Sequence, residues 1–331
     1  MTEKIKVSIP QETSELLKKD CADFKITKAN DTPNMNAFIN TLLVNFYEEF
    51  AGTEEKMHDN IRAAIANVPE YYRENAFSAL VKVFAQKQDT QDGSSRSVVL
   101  SFKPSKNAEK VVVFLEKVLL QNESLSSFYR RLFLAYARKT KNEREKIIHK
   151  DNYQLLCKAI KKQVGVCLLL RSGDILKTAS IHSICAAKDE LFNYILLYNG
   201  KNNMTVRLSS VRSVSLLPSK SYIPIENSTL FDRQAACAPQ YPMYSTDTDP
   251  IRVQLTEKGK KLFEKIYLYR PVPTSIEGDI YTFHCSANQA LQYFERFGDS
   301  ALILSPKKLG IFMRNYYYFS FKKYKELYPR N

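Results

Sequence analysis

The chain of 331 residues contains no tryptophan, only 9 glycines and only 4 histidines. A nucleotide-hydrolysing site needs a glycine-rich phosphate loop, and neither G-x-G-x-x-G nor G-x-x-x-x-G-K occurs. The histidines lie far apart without an H-x-x-x-H pair, so the sequence indicates neither a metal site nor a cofactor. We therefore expect a protein that is not an enzyme.

Long apolar runs and paired cysteines are also missing. No window approaches the roughly 18 apolar residues of a membrane helix, and the polar N-terminal segment lacks the apolar core of a signal peptide. The 6 cysteines never form a C-x-x-C pair, which favours reduced thiols. These features predict a folded cytoplasmic protein with no membrane partner.

Positive charge is abundant and regional. The formal net charge is +14, and the excess lies in three segments, 91–150, 151–220 and 251–331, whereas residues 1–90 and 221–250 are not basic. A partner dense in phosphate explains such an excess, because each cation that meets a phosphate releases a condensed counterion. A solvated basic surface is the alternative, and charge alone leaves both open.

The first half contains a repeated unit of one strand and two helices. Lys4–Pro10 alternates apolar and polar residues as a half-buried strand does, and two amphipathic patterns follow. A second strand pattern begins near Ser97 and is also followed by two helices. The second helices of the copies align without a gap, through the pairs Asn36/Ser126, Phe38/Phe128, Ile39/Tyr129, Leu42/Leu132, Leu43/Phe133 and Phe46/Tyr136.

This repeat resembles the ribbon-helix-helix fold, here with both halves in one chain. We expect residues 1–150 to hold tandem units at 1–50 and 96–150, with bridging helices over 53–88. The resemblance implies that the outward strand side chains Lys4, Lys6 and Ser8 bind nucleic acid, and that the helix N-termini at Asn36 and Ser126 hold phosphates. The outward positions of the second strand, which include Val99 and Ser101, depart from that role, so a ribbon kept as scaffold stays open.

Residues 151–220 predict a small barrel. A short helical pattern is followed by five apolar runs of strand length, separated by turn signals at 171–174 and 199–200. One helix followed by five strands indicates an Sm-like or SH3-like five-stranded β-barrel.

The run FNYILLY followed by VRLSSVRSV resembles the WYL domain. Tyr194 and Arg207 keep two positions of its pattern, whereas Ser210 stands where a second Arg is expected and Arg212 lies two positions further on. The resemblance implies an anionic or nucleic-acid ligand held by guanidinium groups and aromatic rings. Core roles for Tyr194 and Arg207 are the alternative. The candidate binding residues are Arg171, Lys177, His182, Tyr194, Tyr198, Arg207 and Arg212.

Residues 221–250 are interpreted as a linker, and 251–331 as an α/β domain in which strand and helix patterns alternate. The last part resembles the extension that follows many WYL domains, which implies a ferredoxin-like fold. The final helix carries more aromatic side chains than one face can bury, which predicts a homodimer. The interface residues would be Tyr316, Tyr317, Tyr318, Phe319 and Phe321.

The expected fold class is therefore α+β multidomain. The order of the three parts resembles the WYL accessory proteins of RNA-targeting type VI CRISPR systems. That resemblance implies binding of single-stranded RNA, possibly also DNA, and stimulation of a type VI effector nuclease. A WYL-family transcriptional regulator that binds duplex DNA is the alternative function.

Overall fold

The computed structural model describes residues 4–90, 96–119, 124–247 and 249–328. Within those ranges the chain has eleven α-helices and three antiparallel sheets, which confirms a mixed α+β class. The chain divides into two compact units, Met1–Lys150 and Asp151–Asn331. No helix in the described ranges combines the length and apolarity needed to cross a bilayer.

The first unit is a two-stranded antiparallel ribbon with helices. Val7 of the first strand faces Leu100 of the second, and Val7 and Ile9 are buried while Lys6 and Ser8 are exposed. The elements are β1 (Ile5–Pro10), α1 (Gln11–Asp23), α2 (Met35–Ala64), α3 (Glu70–Thr90), β2 (Ser97–Phe102), α4 (Lys106–Phe114), a π-helical turn (Leu115–Leu119), α5 (Leu125–Ala137) and α6 (Lys141–Ile148).

The five aligned apolar pairs of the repeat are buried in both copies. Aromatic rings join the copies in one core: Phe50 lies 5.3 Å from Phe128 and Phe38 lies 6.3 Å from Tyr136, measured between ring centroids. Two amphipathic helix pairs thus bury each other's apolar faces, as expected for elements too small to hold a core alone.

The bridge between the copies differs from the expected pair of helices over 53–88. Helix α2 continues without a break to Ala64, and only α3 is a separate element. Gly52 does not interrupt α2, and Pro69 directly precedes α3. A proline at the start of a helix removes no helical hydrogen bond, which explains why the break occurs there.

The second unit begins with a helix and a five-stranded sheet. The elements are α7 (Lys150–Lys162), β3 (Val164–Leu170), β4 (Ile175–Ala186), β5 (Asn193–Tyr198), β6 (Asn203–Arg207), a 3₁₀ turn (Leu208–Ser210) and β7 (Val211–Lys220). The strand order is β6-β5-β4-β3-β7. The twelve-residue β4 pairs with both neighbours and shifts register between Ile181 and Ser183.

The predicted closure of these strands into a barrel is wrong. The end strands β6 and β7 do not pair with each other in the described structure, although the 3₁₀ turn joins them. The five predicted strands all form. A closed barrel needs a hydrogen-bond ladder between the end strands β6 and β7, and among the described residues only the 3₁₀ turn connects those two strands.

Residues 221–250 contain more than a linker. Helix α8 (Ile225–Cys237) buries Leu230 and Phe231, and the stretch after it buries Tyr241 and Met243. Apolar side chains on one face of a helix are stabilised by packing against another element. The interpretation of residues 221–250 as a linker did not take this pattern into account.

The remaining elements are β8 (Ile251–Leu255), α9 (Glu257–Lys265), β9 (Pro273–Glu277), β10 (Ile280–Phe283), α10 (Ala287–Phe294), a 3₁₀ segment (Glu295–Ser300), β11 (Ala301–Ser305) and α11 (Lys307–Leu327). The four strands form an antiparallel sheet in the order β11-β8-β10-β9. Gly259 permits the close approach of α9, because a Cβ there would lie 2.1 Å from the Ser300 carbonyl oxygen.

Candidate nucleic-acid interface

Tyr194 and Arg207 are brought together by the β5–β6 pairing. The two residues are direct partners in the strand register. The Arg207 guanidinium lies over the Phe192 ring, 3.0 Å from its centroid, which is a cation–π contact. The Tyr194 hydroxyl donates to the Glu190 carboxylate. Burial, followed by this hydrogen bond, raises the pKa of Tyr194, so its hydroxyl stays protonated.

The Glu190 carboxylate is shared with a second tyrosine from the C-terminal half of the unit. The Tyr269 hydroxyl donates to the other oxygen of Glu190, and the Tyr269 backbone amide donates to Asp189 at 2.9 Å. The hydrogen bond to Glu190 and burial raise the pKa of Tyr269 to about 12. Tyr194 therefore contributes to a contact that joins the β4–β5 loop to the segment around Tyr269.

His182 and Tyr198 lie on strands next to helix α8. The His182 ring lies 5.2 Å from the Phe231 ring, and its Nε2 lies 3.5 Å from an Asp232 carboxylate oxygen. Tyr198 is half-buried and pairs with Ser180 of β4 and Asn203 of β6. The residues that flank Tyr198 on this face are tied to α8 by hydrogen bonds from Asn227 to Asn203, at 2.9 Å, and from Gln234 to Thr205, at 2.6 Å.

Helix α8 thus packs beside two of the candidate binding residues, His182 and Tyr198. The physical reason is the buried pair Leu230 and Phe231, which removes apolar surface from water by packing there. Nothing in the strand pattern of residues 151–220 contains this information.

Arg171 and Arg212 form the exposed cationic corner of the five-stranded sheet. The Arg171 Nε donates to the Ser209 carbonyl at 3.0 Å, and its amide donates to the Ser210 carbonyl at 2.9 Å. Burial and the positive charge of Arg212 lower the pKa of Arg171. Neither guanidinium forms an ion pair with a carboxylate in the part of the chain described. Two neighbouring cations without a carboxylate partner create a positive electrostatic potential that attracts an anion.

Lys177 is exposed on β4. Six of the seven candidates of this sheet therefore fall into two groups. Arg171, Arg212 and Lys177 are exposed and present charge to solvent, whereas Tyr194, Arg207 and His182 contact other parts of the unit.

The ribbon presents its predicted outward residues. Lys4, Lys6 and Ser8 are exposed, and Lys6 pairs with Ser101 while Ser8 pairs with Val99. The Arg130 guanidinium donates to the Ser8 carbonyl at 2.8 Å and adds a further cation beside β1.

Asn36 and Ser126 fasten the helices to the ribbon. Asn36 Oδ1 accepts from the Lys103 amide at 2.8 Å, and Ser126 Oγ donates to the Lys6 carbonyl at 3.2 Å. The side chains that cap α2 and α5 are Asn34, which accepts from the Ala37 amide, and Ser124, which accepts from the Ser127 amide. These two residues keep the spacing of the repeat, and extending the alignment two residues upstream could have found them.

The five aromatic residues expected at a dimer interface have different environments. Tyr317 is half-buried, and its hydroxyl donates to the Glu295 carbonyl at 3.0 Å. Tyr316, Tyr318, Phe319 and Phe321 are exposed along α11.

Within the described ranges there is no group of three or more His, Cys, Asp or Glu residues that could hold a metal ion.

The whole-chain fold has a solved counterpart. A protein described as "Crystal structure of a CRISPR Cas-related protein" matches with a TM-score of 0.67 and 18% identity, over 99% of this chain and 95% of its own. The two proteins therefore share a fold.

Two further findings complete the comparison. The proteasome accessory factor B/C (PafBC) of Arthrobacter aurescens matches with a TM-score of 0.22 and 14% identity, over 66% of this chain and 37% of its own. That score is too low to support an argument. No family model and no curated protein matches the sequence.

Proposed function

We propose that this protein is a non-catalytic accessory protein that binds single-stranded RNA and stimulates an RNA-targeting type VI CRISPR effector nuclease. The pair Arg171 and Arg212 supports RNA binding best. The two positive charges repel each other, and neither side chain forms an ion pair with a carboxylate in the described structure. A phosphate between them would relieve that repulsion and accept bidentate hydrogen bonds. The fold shared with a CRISPR Cas-related protein supports the accessory role.

In this proposal the candidates of the five-stranded sheet have two roles. Arg171, Arg212 and Lys177 contact phosphates directly. Arg207 and Tyr194 act indirectly, because they hold the β4–β5 loop through Phe192 and Glu190. The proposed domain types are a tandem ribbon-helix-helix unit, an open Sm-like WYL sheet and a ferredoxin-like domain. The strand orders of the first and last sheets fit those types.

The test is a fluorescence anisotropy titration of labelled single-stranded RNA against duplex DNA of the same sequence, at two salt concentrations. We expect RNA to bind more tightly than duplex DNA. Arg212→Ala should make the negative slope of log affinity against log salt shallower by about 0.7, the value for one phosphate contact on a single strand. Arg62→Ala is the matched control, because Arg62 is exposed but paired with Asp59 at 3.4 Å. Equal slopes for wild type and Arg212→Ala would contradict the assignment.

The effector role is tested separately. A type VI effector loaded with its guide should cleave reporter RNA faster when the wild-type protein is present, and Arg171→Ala with Arg212→Ala should abolish that increase. If the protein binds RNA but does not change the rate of cleavage, it is an RNA-binding protein and the proposed accessory role is wrong.

A duplex-DNA regulator is the second candidate, and the exposed outer face of the ribbon favours it. Lys4, Lys6 and Ser8 point away from the core, and the N-termini of α2 and α5 adjoin the ribbon. If this candidate holds, Lys4→Ala with Lys6→Ala weakens duplex binding, while the arginine changes have no effect on it.

We also propose a homodimer formed through helix α11. Its exposed aromatic side chains are the supporting observation.

A further inference from the structure

A cavity of about 190 Å³ lies in the C-terminal part of the second unit, beside the four-stranded sheet. Three segments contribute most of its wall: the residues that lead into β8, the start of α10 and the start of α11. We call it the α10–α11 cavity. The candidate nucleic-acid-binding residues do not contribute to its wall, so it is separate from the interface described above.

The interior of the α10–α11 cavity is apolar. Ile251, Cys285 and Leu309 are buried in its wall, and Ala287 and Leu291 are half-buried beside them. Burial raises the pKa of the Cys285 thiol to about 12, so the thiol is neutral at physiological pH. Moving a hydrocarbon group from water into such a space is favourable. The interior therefore suits an apolar, uncharged group.

The mouth of the cavity carries two opposite charges. Asp249, just before β8, and Lys308, in the first turn of α11, are exposed and line the opening. Within the described ranges neither side chain forms an ion pair or a hydrogen bond, so the two do not pair with each other. Asp247 differs, because its carboxylate accepts from the Tyr244 amide at 2.9 Å and from the Ala287 amide at 3.3 Å. The opening thus offers one available anion and one available cation.

Size and charge exclude several classes of ligand. An apolar cavity of roughly 150 Å³ holds a molecule the size of benzene, whereas drug-sized ligands occupy roughly 300–1,000 Å³. The α10–α11 cavity therefore has room for one aliphatic or aromatic side chain but not for a nucleoside. A phosphate is also disfavoured, because the wall contains two carboxylates, Asp247 and Asp249, against the single ammonium group of Lys308.

We propose that the α10–α11 cavity binds a free α-amino acid with an apolar side chain, represented by L-leucine. The ligand ammonium group donates to Asp249, the ligand carboxylate accepts from Lys308, and the side chain enters the apolar interior. Each charge of the zwitterion then has an opposite charge beside it, so none is desolvated alone. This site goes beyond the RNA-binding function and does not rest on it.

The proposal requires all three parts of the ligand. The analogue 4-methylpentanoate lacks the ammonium group and brings its carboxylate near Asp249. The analogue 3-methylbutylamine lacks the carboxylate and leaves Lys308 without a partner. L-Alanine keeps both charges but leaves the interior unfilled. N-acetyl-L-leucine amide keeps the side chain without either charge, as a leucine within a peptide does.

The test is isothermal titration calorimetry of the full chain with L-leucine and these four analogues. We expect saturable binding of one L-leucine per chain. Each analogue should bind at least about tenfold more weakly, the loss that follows from one missing charge-assisted hydrogen bond or from an unfilled apolar space. L-Leucine should also raise the melting temperature of the full chain, because a ligand that binds the folded state stabilises it.

Four variants locate the site. Asp249→Asn and Lys308→Met should each weaken L-leucine binding about tenfold. Lys307→Met is the matched control, because Lys307 is exposed in the same helical turn but does not line the cavity. Ala287→Leu fills part of the interior and should abolish binding. Circular dichroism checks that each variant is folded, and the two charge variants change only exposed side chains.

Several results would overturn the proposal. These are the absence of saturable heat at millimolar L-leucine, equal weakening by Lys307→Met and Lys308→Met, and unchanged binding by Ala287→Leu. N-acetyl-L-leucine amide binding as tightly as L-leucine would show that the cavity receives a peptide side chain instead. Arg212→Ala should bind L-leucine as the wild type does, so failure here leaves the RNA titration to judge the proposed function separately.

Discussion

The strongest prediction for stability concerns a buried ion pair that joins the two copies of the repeat. The Asp20 side chain of α1 is 1% exposed and the Arg144 side chain of α6 is 11% exposed. Arg144 donates two hydrogen bonds to Asp20, from Nε at 2.6 Å and from Nη2 at 3.2 Å. Tyr136 of α5 adds a third, at 3.0 Å.

Arg144→Met removes the cation and two of these three hydrogen bonds. Of these donors, the buried Asp20 carboxylate then keeps only the neutral Tyr136 hydroxyl. Breaking a buried pair in this way costs about 3–5 kcal/mol of unfolding free energy, because the desolvated charge loses its compensation. Asp20→Asn should also destabilise the fold, because it leaves the Arg144 cation without its carboxylate and turns an amide nitrogen toward a donor of Arg144 or Tyr136. The double variant should be less destabilised than the sum of the single variants, since the residues share one network.

The assay is urea unfolding of the full chain, followed by far-ultraviolet circular dichroism. Lys139→Met is the matched control in the same unit, because Lys139 pairs with Glu49 at 2.8 Å but both side chains are partly exposed. Such a pair contributes about 0–1 kcal/mol. An Arg144→Met variant no less stable than Lys139→Met would refute the reasoning.

Two further predictions concern pH and the β4–β5 loop. Burial raises the pKa of the Cys21 thiol to about 11 from the usual 9.0. Its contribution to stability is therefore complete below pH 9 and is lost as the pH rises toward 11, so Cys21→Ala should reduce the loss of urea resistance between pH 8 and pH 10.5. Tyr269→Phe removes one of the two hydroxyl donors to Glu190 and should speed amide hydrogen exchange across residues 187–192. Tyr267→Phe, at an exposed position, should not, and equal exchange in both variants would contradict the role of Glu190.

Much of the local structure could be predicted from the sequence. The alternation around Val7 and Ile9 predicted a half-buried strand, and the ungapped repeat predicted which residues of α2 and α5 are buried. The apolar runs of residues 151–220 predicted five strands, and all five form. These signals are local, because the period of side chains along a strand or helix is fixed by backbone geometry.

The site was less accessible to sequence reasoning. Tyr194 and Arg207 carry the WYL resemblance, but their contacts with Glu190 and Phe192 come from a loop whose anchor, Tyr269, lies 79 residues from Glu190. The backbone amides around Asn36 and Ser126 were expected to hold phosphates, and the structure adds that the side chains of these two residues bind backbone atoms of the ribbon. A short pattern cannot show which distant segment satisfies a polar group.

The sequence by itself determined the repeat, the strand and helix periods, the regional positive charge and the aromatic excess of the last helix. Only the tertiary structure decided that the five-stranded sheet stays open, that α8 packs beside His182 and Tyr198, and that Arg171 and Arg212 meet at one corner. The reason is that periodicity follows from neighbouring residues, whereas closure, helix packing and charge proximity depend on contacts between residues far apart in the chain.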